Sequence, residues 1–555
     1  MAEKKRKTGQ YVVRQRDTQV YSYISNKRDI HKHKENSSFF ADKLAIMGRL
    51  LLFIFAAALS AYLVFLSFPK QSHSIVAWVS LVPLFVGIRK TRGLFGSVFF
   101  SWLTGAFTCV GLFYWIYYTA MAAGVTNVMS IGACVVLSVS VSAQFALFGG
   151  LCFYARKYNY FYPLLVATGW VSLELLHQVV AQGFIGFPWF MLGYSQWNNT
   201  VMLQVASIGG VYAVSFAIAF VNGSIATAFT MKSFGERALA IFFGAIVFSL
   251  VFTYGKDRLA KADAQLGAPT KVLKVSILQP NIDQYKKWNS AFVNEIENKL
   301  KEQLAQITPT NPDIIVWPET ALPGPAQEAR YYNWLEDISK KSNAYQIIGS
   351  TYTVDDVSFV SAYMFDRAGG LQGIYNKEQL VPFGEYIPFE DYLSTLDIEV
   401  LGALGSFTPG DRNQPLQKLD DTEIGINICY ESVFPAIWRK TELKGAKIFF
   451  NITNDGWYLD TSAPYQHFAI NVMRAAELGV PVVRSANTGI SGWIDGFGRI
   501  RESSTLNTDT VMNFSVPLHE KQDATFYAKW GNLFVYICIF IFLNIAFTAF
   551  IVSDE

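Results

Sequence analysis

Apolar and polar residues are distributed in two different ways along the chain. Eight mainly apolar stretches approach the roughly 20 residues that a helix needs to cross a bilayer. They predict membrane-spanning helices at residues 46–68, 74–88, 94–117, 126–154, 161–177, 200–229, 237–254 and 531–552, of which the second and the fifth are short. Residues 256–525 instead mix apolar and polar positions, as a soluble sequence does. We therefore expect a multi-pass α-helical membrane domain with about eight transmembrane helices, together with a soluble domain.

Two periodicities alternate within the soluble part. Residues 271–279 alternate between apolar and polar in the manner of a strand, and residues 292–308 carry apolar side chains at helical spacing. Further strands are predicted at 313–317, 345–351, 359–366, 423–428, 446–452, 481–486 and 490–495, and further helices near 327–341, 432–443 and 466–478. This order favours an α/β domain in which helices cover a sheet.

These patterns divide the chain into four parts. We expect a polar, basic arm at 1–44, a seven-helix transmembrane domain at 45–256, the soluble domain at 268–520 and a last transmembrane helix at 528–552. A length of 555 residues exceeds one hydrophobic core, which agrees with more than one domain.

Composition and charge narrow the possible partners. Charged residues make up only 16% of the chain, against about 25% in a typical soluble domain, and the deficit lies in the apolar stretches. The net charge of +3 is small, and the basic arm alone accounts for it. We expect the arm to set the topology and to contact anionic lipid, and we expect no nucleic acid as a partner.

The basic residues also predict an orientation, because cytoplasmic loops are rich in Lys and Arg. The arm, and the loops that contain Arg89, Arg156 and Lys232, are basic, whereas the loops at 118–125 and 178–199 carry almost no charge. This alternation places both termini in the cytoplasm and the soluble domain on the outer face. In a bacterium with two membranes, the protein would lie in the inner membrane with this domain in the periplasm.

One carboxylate falls within a predicted membrane span. Glu174 is costly there unless it has a partner, and His177 follows one helical turn later. A structural hydrogen-bonding role and a functional role both remain open for Glu174.

The soluble part contains a single cysteine, Cys429, because Cys109, Cys134, Cys152 and Cys538 all lie in apolar stretches. A lone thiol cannot form an internal disulfide, so Cys429 is an inert core residue or a nucleophile. Glu319 follows a predicted strand and Lys377 lies in a polar segment. A carboxylate, an amine and a thiol can together make and break an acyl thioester: Glu319 as base, Lys377 as oxyanion partner, Cys429 as nucleophile. Singly, each also fits a structural role, as a helix cap, a surface charge or a core residue.

A Cys-His protease and a zinc site fit the sequence less well. His467 and His519 are the only histidines in the soluble part, and the sequence indicates no Asn or Asp partner for His467. The cysteines and histidines do not follow zinc-ligand spacing, so we expect no metal.

Three segments resemble the signatures of the carbon–nitrogen hydrolase, or nitrilase, superfamily: 318–320, 376–377 with 382–385, and 428–431. The resemblance implies a Glu-Lys-Cys triad on an αββα sandwich. With its many helices, the chain from about 45 to 552 resembles the apolipoprotein N-acyltransferase family. Further segments that carry this resemblance are 186–189, 192–196, 279–282, 287–288, 454–458 and 484–489.

The resemblance implies that Cys429 takes an acyl chain from a phospholipid, which leaves a lysophospholipid. The α-amine of the diacylglyceryl-cysteine at the N-terminus of an apolipoprotein then accepts the chain. It implies Glu319 as general base and Lys377 as oxyanion partner, and no cofactor. Its supporting residues would be Glu385 beside Lys377 and Glu319, Tyr430 and Glu431 behind the thiol, and Trp288 on a substrate-facing loop. Apart from the resemblance, the aromatic segments 331–334 and 383–386 fit two interpretations, membrane-facing gates or ordinary core packing.

Two alternatives remain. A membrane-anchored amidohydrolase would use the same triad with water as acceptor, although seven helices exceed what a tether needs. A transporter or scaffold with a degenerate nitrilase-like domain would not need Cys429 at all.

Overall fold

The structure is a computed structural model, and it describes residues 43–156, 158–183, 187–267, 269–287, 289–388, 407–519 and 524–553. Trp288 and all but the last two residues of the predicted arm lie outside these ranges. The chain divides into a small unit that ends at Ala56 and a large unit from Ala57 onward. The described part of the small unit is helical and exposes apolar side chains such as Leu51 and Phe55, which suits contact with lipid.

Helices form the first half of the described chain and recur in the second. They are α1 (Lys43–Ser67), α2 (Ala77–Ser80), α3 (Val82–Lys90), α4 (Leu94–Phe113), α5 (Trp115–Ala122), α6 (Asn127–Ala155), α7 (Tyr162–Gly183), α8 (Thr200–Leu203), α9 (Ala206–Thr230), α10 (Phe234–Leu266), α11 (Gln284–Lys287), α12 (Val293–Ile307), α13 (Ala329–Ser342), α14 (Pro435–Leu443), α15 (Ala463–Leu478), α16 (Phe526–Trp530) and α17 (Leu533–Ser553). Among the described residues, α1, α4, α6, α7, α9 and α10 are long and apolar enough to cross a membrane, and α17 contains a shorter apolar stretch.

Seven of the eight predicted spans coincide with long helices, and two details differ. The span predicted at 74–88 is broken into a short turn at Ser74–Val76 followed by α2 and α3. Helix α10 continues to Leu266, beyond the predicted end at 254 and the predicted domain boundary at 256. Hydropathy falls where charges begin, but a helix need not end there, and Asp257 and Lys261 form an i,i+4 ion pair of 2.6 Å on its extension.

Helix α9 lies inside the membrane domain and bends at two glycines. Gly210 has a φ of +66°, and a Cβ there would come within 2.7 Å of the Tyr527 ring. The bend frees the backbone N–H of Val211, which donates to Oε1 of Glu477 at 2.7 Å. A carboxylate of the soluble part thus caps the second half of a membrane helix.

Glu174 has partners inside the helical bundle. Its Oε1 accepts hydrogen bonds from the Trp170 indole and from the backbone N–H of Leu192, each at 2.8 Å. The His177 ring lies 2.9 Å from the carbonyl oxygen of Phe187. Glu174 therefore joins α7 to the following loop, and these contacts favour the structural role.

The described residues of the soluble part form two six-stranded sheets. Their strands are β1 (Lys271–Gln279), β2 (Ile314–Val316), β3 (Tyr345–Val354), β4 (Val357–Phe365), β5 (Leu371–Asn376), β6 (Gln417–Leu419), β7 (Thr422–Ile428), β8 (Ile448–Thr453), β9 (Val482–Ala486), β10 (Gly492–Ile494), β11 (Ile500–Ser503) and β12 (Thr510–Leu518). The first sheet has the order β12-β1-β2-β3-β4-β5, and the second has the order β11-β10-β9-β8-β7-β6. Strands β5, β6, β11 and β12 were not predicted.

The two sheets face each other, and helices cover their outer sides. Helices α12 and α13 pack on the first sheet around a buried apolar cluster that includes Leu300, Trp317 and Leu335. Helices α14 and α15 pack on the second sheet. Between the sheets, the Ser485 hydroxyl donates to the carbonyl oxygen of Leu278 at 2.9 Å. The domain is therefore an αββα sandwich, as the resemblance implied.

Candidate active site

Cys429 stands in a strained turn at the end of a buried strand. Strand β7 ends at Ile428, and Cys429 adopts a φ of +49°, which is uncommon for a residue with a side chain. Oε2 of Glu431 accepts the backbone N–H of Ile428 at 2.7 Å, and the carbonyl oxygen of Cys429 lies 3.1 Å from Nε2 of His467. The turn that presents the thiol is therefore held on both sides.

Glu319 and Lys377 meet beside this turn. Glu319 follows strand β2, and Lys377 directly follows β5. The Lys377 Nζ lies 3.3 Å from Oε1 of Glu319 and 2.5 Å from Oε1 of Glu385. Oε2 of Glu319 accepts the backbone N–H of Asn454 at 2.9 Å. The structure thus places the predicted carboxylate and amine in one buried ion pair.

The charges of Glu319 and Lys377 change the pKa of the Cys429 thiol. Burial raises the pKa of Cys429, the Glu319 carboxylate raises it further, and Lys377 opposes both. Burial works against the charge of Lys377, but Glu319, Glu385 and Cys429 outweigh burial and hold the pKa of Lys377 well above its usual value. At neutral pH the site therefore combines a protonated thiol with a lysine cation, and a base must remove the thiol proton before attack.

Glu385 is held in a tight loop after β5. Its Oε2 accepts the backbone N–H of Val381 at 2.8 Å. Burial raises the pKa of Glu385, and the Lys377 cation acts in the opposite direction. Glu385 is therefore placed as a second counter-charge for Lys377.

Glu431 and Tyr430 flank Cys429 on its C-terminal side. Oε1 of Glu431 accepts hydrogen bonds from the Tyr375 hydroxyl at 2.9 Å and from the backbone N–H of Glu378 at 2.6 Å, and burial raises its pKa to about 7. It thereby joins the Cys429 turn to the segment that follows Lys377. The Tyr430 ring stacks on Trp189 of the membrane domain, with centroids 6.3 Å apart.

A second buried lysine, which the sequence reasoning missed, lies behind Glu319. The Lys287 Nζ donates to the Thr320 hydroxyl at 2.8 Å and to the carbonyl oxygen of Glu319 at 3.4 Å. Burial lowers the pKa of Lys287 to about 7. Its position directly before Trp288, in a segment that carried the family resemblance, was the available signal.

His467 has an acidic partner that the sequence did not indicate. Its Nδ1 lies 2.8 Å from Oδ1 of Asp455, and Arg484 donates to Oδ2 of Asp455 at 2.7 Å. Burial lowers the pKa of His467, whereas the pKa of Asp455 is held at about 2 because Arg484 and His467 outweigh its burial. Since Nε2 contacts the Cys429 carbonyl oxygen, this His-Asp pair supports the turn, unlike the pair of a Cys-His protease.

The two aromatic segments considered as gates differ. Tyr331 is buried in the cluster beneath α13, and the Trp334 ring packs edge-on against Trp317 at 5.9 Å. For 331–334 the core-packing interpretation therefore holds, because its aromatic side chains lie between the helix and the sheet. Phe383 is instead exposed.

No group of three or more His, Cys, Asp or Glu side chains within the described ranges is arranged to hold a metal ion. Within the described residues, the site brings together one thiol, two lysine amines and three carboxyl groups, from Cys429, Lys377, Lys287, Glu319, Glu385 and Glu431. This set suits nucleophilic acyl transfer with acid–base assistance.

Fold and site together define a membrane-embedded protein with a carbon–nitrogen hydrolase domain. The Carbon-nitrogen hydrolase family model matches residues 274–524, and the model of the Apolipoprotein N-acyltransferase N-terminal domain matches residues 60–224. An apolipoprotein N-acyltransferase of Geobacter metallireducens is 34% identical over 508 residues, which cover 87% of this chain and 92% of that protein. Another, from Rickettsia prowazekii, is 29% identical over 76% of this chain and 83% of that protein. The chain belongs to the apolipoprotein N-acyltransferase family.

Among solved structures, an amidase from Nesterenkonia sp. is 15% identical, with a TM-score of 0.33, over 45% of this chain and 91% of that one.

Proposed function

We propose that this protein transfers an acyl chain from a membrane phospholipid to the α-amine of the N-terminal diacylglyceryl-cysteine of apolipoproteins, with Cys429 as the acyl carrier. The observation that carries the proposal is the buried contact of 3.3 Å between Lys377 and Glu319, charge-coupled to the Cys429 thiol, in a chain of this family. Such a group can form a thioester without a cofactor.

In the first half-reaction, Glu319 takes the proton of the Cys429 thiol as Sγ attacks the ester carbonyl of the phospholipid. Lys377 stabilises the negative charge on the carbonyl oxygen in the tetrahedral intermediate. The intermediate collapses with cleavage of the carbon–oxygen ester bond. Glu319 returns the proton to the departing alkoxide, which leaves as lysophospholipid, and the acyl chain remains on Sγ.

In the second half-reaction, the free amine of the acceptor attacks the thioester carbonyl. Glu319 takes a proton from the attacking nitrogen, and Lys377 again stabilises the oxyanion. Cleavage of the carbon–sulfur bond releases the amide product, and Glu319 returns the proton to the Cys429 sulfur. The enzyme is regenerated, and no redox step occurs.

Contact with the membrane supports this chemistry. Both substrates carry acyl chains, so an enzyme embedded beside them need not extract them from the bilayer. Exposed apolar side chains on the soluble part, namely those of Tyr285, Phe383, Trp457 and Leu459, suit contact with lipid. A site that excludes water would also protect the thioester from hydrolysis.

We further propose the inner membrane as the location, with the catalytic domain in the periplasm and both termini in the cytoplasm. Alternating basic loops support this orientation. Exposed Glu302 on α12 and exposed Lys232 between α9 and α10 provide labelling sites. With Glu302→Cys, a membrane-impermeant maleimide should label cells whose outer membrane is permeabilised. With Lys232→Cys, it should label only lysed cells. The opposite pattern would contradict the orientation.

The activity itself is tested with purified protein, a phospholipid that carries an isotope-labelled acyl chain and a synthetic diacylated lipopeptide with a free N-terminal amine. We expect labelled triacylated lipopeptide and an equal amount of lysophospholipid. Release of free labelled fatty acid without amide formation would instead favour a hydrolase with the same triad.

A further inference from the structure

Helix α15 connects the membrane domain to the turn that presents Cys429. All of its residues except Tyr465 are buried, although it contains Gln466, His467 and Arg474. Buried polar side chains are retained where each has a defined partner. The two adjacent residues Gln466 and His467 have partners in different parts of the molecule.

His467 reaches the nucleophile through the backbone. Its Nε2 lies 3.1 Å from the carbonyl oxygen of Cys429, and a carbonyl oxygen only accepts, so Nε2 carries the proton. On its other side, Nδ1 accepts a hydrogen bond from Arg484 at 3.1 Å, and the same arginine holds the Asp455 carboxylate, whose Oδ1 lies 2.8 Å from Nδ1. Thr453 also donates to Asp455, at 3.1 Å. The ring is therefore fixed on one side and holds Cys429 on the other.

This hydrogen bond holds a residue whose backbone conformation is unfavourable. Cys429 has a φ of +49°, a conformation that persists only when neighbouring groups hold it. Glu431 holds the preceding peptide through the Ile428 N–H, and His467 holds the carbonyl that follows the thiol. Loss of the His467 contact would let the turn relax and move Sγ away from Glu319 and Lys377.

Gln466 makes the neighbouring contacts to the membrane domain. Its Oε1 accepts the indole N–H of Trp189 at 2.8 Å and that of Trp115 at 3.2 Å, and its amide donates to the Leu112 carbonyl oxygen at 3.3 Å. The Trp189 ring also packs on His467, with centroids 5.4 Å apart. The membrane domain therefore fixes the part of α15 from which His467 projects.

We propose that His467 is a positioning residue for the Cys429 nucleophile, and that Gln466 with the two indoles makes this positioning depend on the membrane domain. The relevance of the inference to acyl transfer rests on the proposed function, but the positioning is measurable without any acyl donor. It gives the membrane domain a role in preparing the thiol as well as in anchoring the enzyme.

The test is the rate at which iodoacetamide alkylates Cys429 in the full chain in detergent, followed by mass spectrometry of the peptide that contains it. His467→Gln places an amide nitrogen near the position of Nε2, whereas His467→Asn mimics only Nδ1. We expect His467→Asn to slow alkylation about tenfold, as for one lost hydrogen bond, and His467→Gln to restore it to within about threefold. The inference would be overturned if Cys429 were alkylated at equal rates in the two variants, or at the parental rate in His467→Asn.

Gln466→Leu tests the link to the membrane domain and decides the matter if His467→Asn does not fold. Gln303 on α12 is a matched control, since it is also buried and donates to the carbonyl oxygen of Gln279 at 2.9 Å. We expect Gln466→Leu to slow alkylation about tenfold and Gln303→Leu to leave it unchanged. The same rate in both variants would contradict the link.

Acyl-transfer rates measured in parallel separate the two proposals. In His467→Asn we expect kcat to fall while KM for phospholipid stays close to that of the parent, because the substrate contacts are intact. If the parent protein transfers acyl chains but Cys429 is alkylated at the parental rate in both test variants, only the positioning proposal is refuted. If the parent protein transfers no acyl chains but Cys429 is alkylated slowly in the variants, only the proposed function is refuted.

Discussion

Lys377 and Glu385 form a buried ion pair in which Nζ and Oε1 are 2.5 Å apart. Glu385 therefore lies closer to the ammonium than Glu319 does, at 3.3 Å. When a cation lies between two carboxylates, it can pair with the nearer one, and the other carboxylate remains available as a base. We therefore expect Glu385 to neutralise the Lys377 charge and Glu319 to act as the base.

Glu385→Gln should lower the rate of acyl transfer by at least about tenfold, a barrier increase of roughly 1.4 kcal/mol. Without the Glu385 charge, Lys377 has only Glu319 as a counter-ion, and a Glu319 carboxylate engaged by Lys377 is a weaker base. Initial rates with the lipopeptide acceptor measure the effect. Glu297→Gln is a control, because Glu297 is a buried carboxylate on α12 that pairs with Arg330 away from the site. Parental activity in Glu385→Gln would show that Glu385 has no part in the chemistry.

Glu319→Gln should abolish thioester formation, with a loss of about a hundredfold or more, as for a missing general base. Burial and the nearby carboxylate raise the pKa of Cys429, so the thiol does not ionise alone at neutral pH. The amide of Gln keeps the size of the side chain and can still accept the Asn454 N–H. The measurement is the initial rate of acyl-enzyme formation at pH 7. A variant with more than a tenth of the parental rate would rule out Glu319 as the base.

Lys287→Met should change the pH dependence of stability. Burial lowers the folded-state pKa of Lys287 to about 7, from an ordinary value of 10.5 for a solvated lysine. Below pH 7 both states hold the proton; between pH 7 and 10.5 the unfolded chain holds more protons, so folding becomes more favourable as pH rises. The parent should gain roughly 1.4 kcal/mol per pH unit over the variant in this window. Apparent Tm values at pH 7, 8 and 9 test this, and a constant difference between the two proteins would refute it.

Strands that are largely buried were predicted well, and they locate two of the three triad residues. Ile314–Val316 is apolar throughout, and Thr422–Ile428 has isoleucine at every second position, because both strands lie inside a sheet. Their ends place Glu319 and Cys429 at one edge of the sandwich. The sequence was therefore sufficient for the general position of the base and the nucleophile.

Strands that depend on pairing were missed. Leu371–Asn376 ends just before Lys377, but it is half exposed and has no clear alternation. It is a strand because β4 pairs with it, with Ser361 opposite Asn376. The three-residue strand Gln417–Leu419 and the exposed strand Ile500–Ser503 are likewise defined by their neighbours.

The Asp455–His467 pair shows why buried networks of polar side chains are hard to predict from a sequence. Asp455 lies in the turn after β8 and His467 in the helix predicted at 466–478, and a periodic pattern does not show which polar side chains of two elements meet. Only the packing of α15 on the second sheet brings their side chains together. Lys287 is similar, since the Thr320 hydroxyl that it contacts lies 33 residues further along the chain.

Mass spectrometry of the protein after incubation with phospholipid alone, without acceptor, tests the central claim most directly. We expect one acyl chain on the peptide that contains Cys429, its removal by neutral hydroxylamine, and its disappearance with concomitant amide formation when the diacylated lipopeptide is added. Cys429→Ala should show no such adduct. An unmodified Cys429 in a preparation that nevertheless acylates the lipopeptide, or an acyl chain on another residue, would contradict the account.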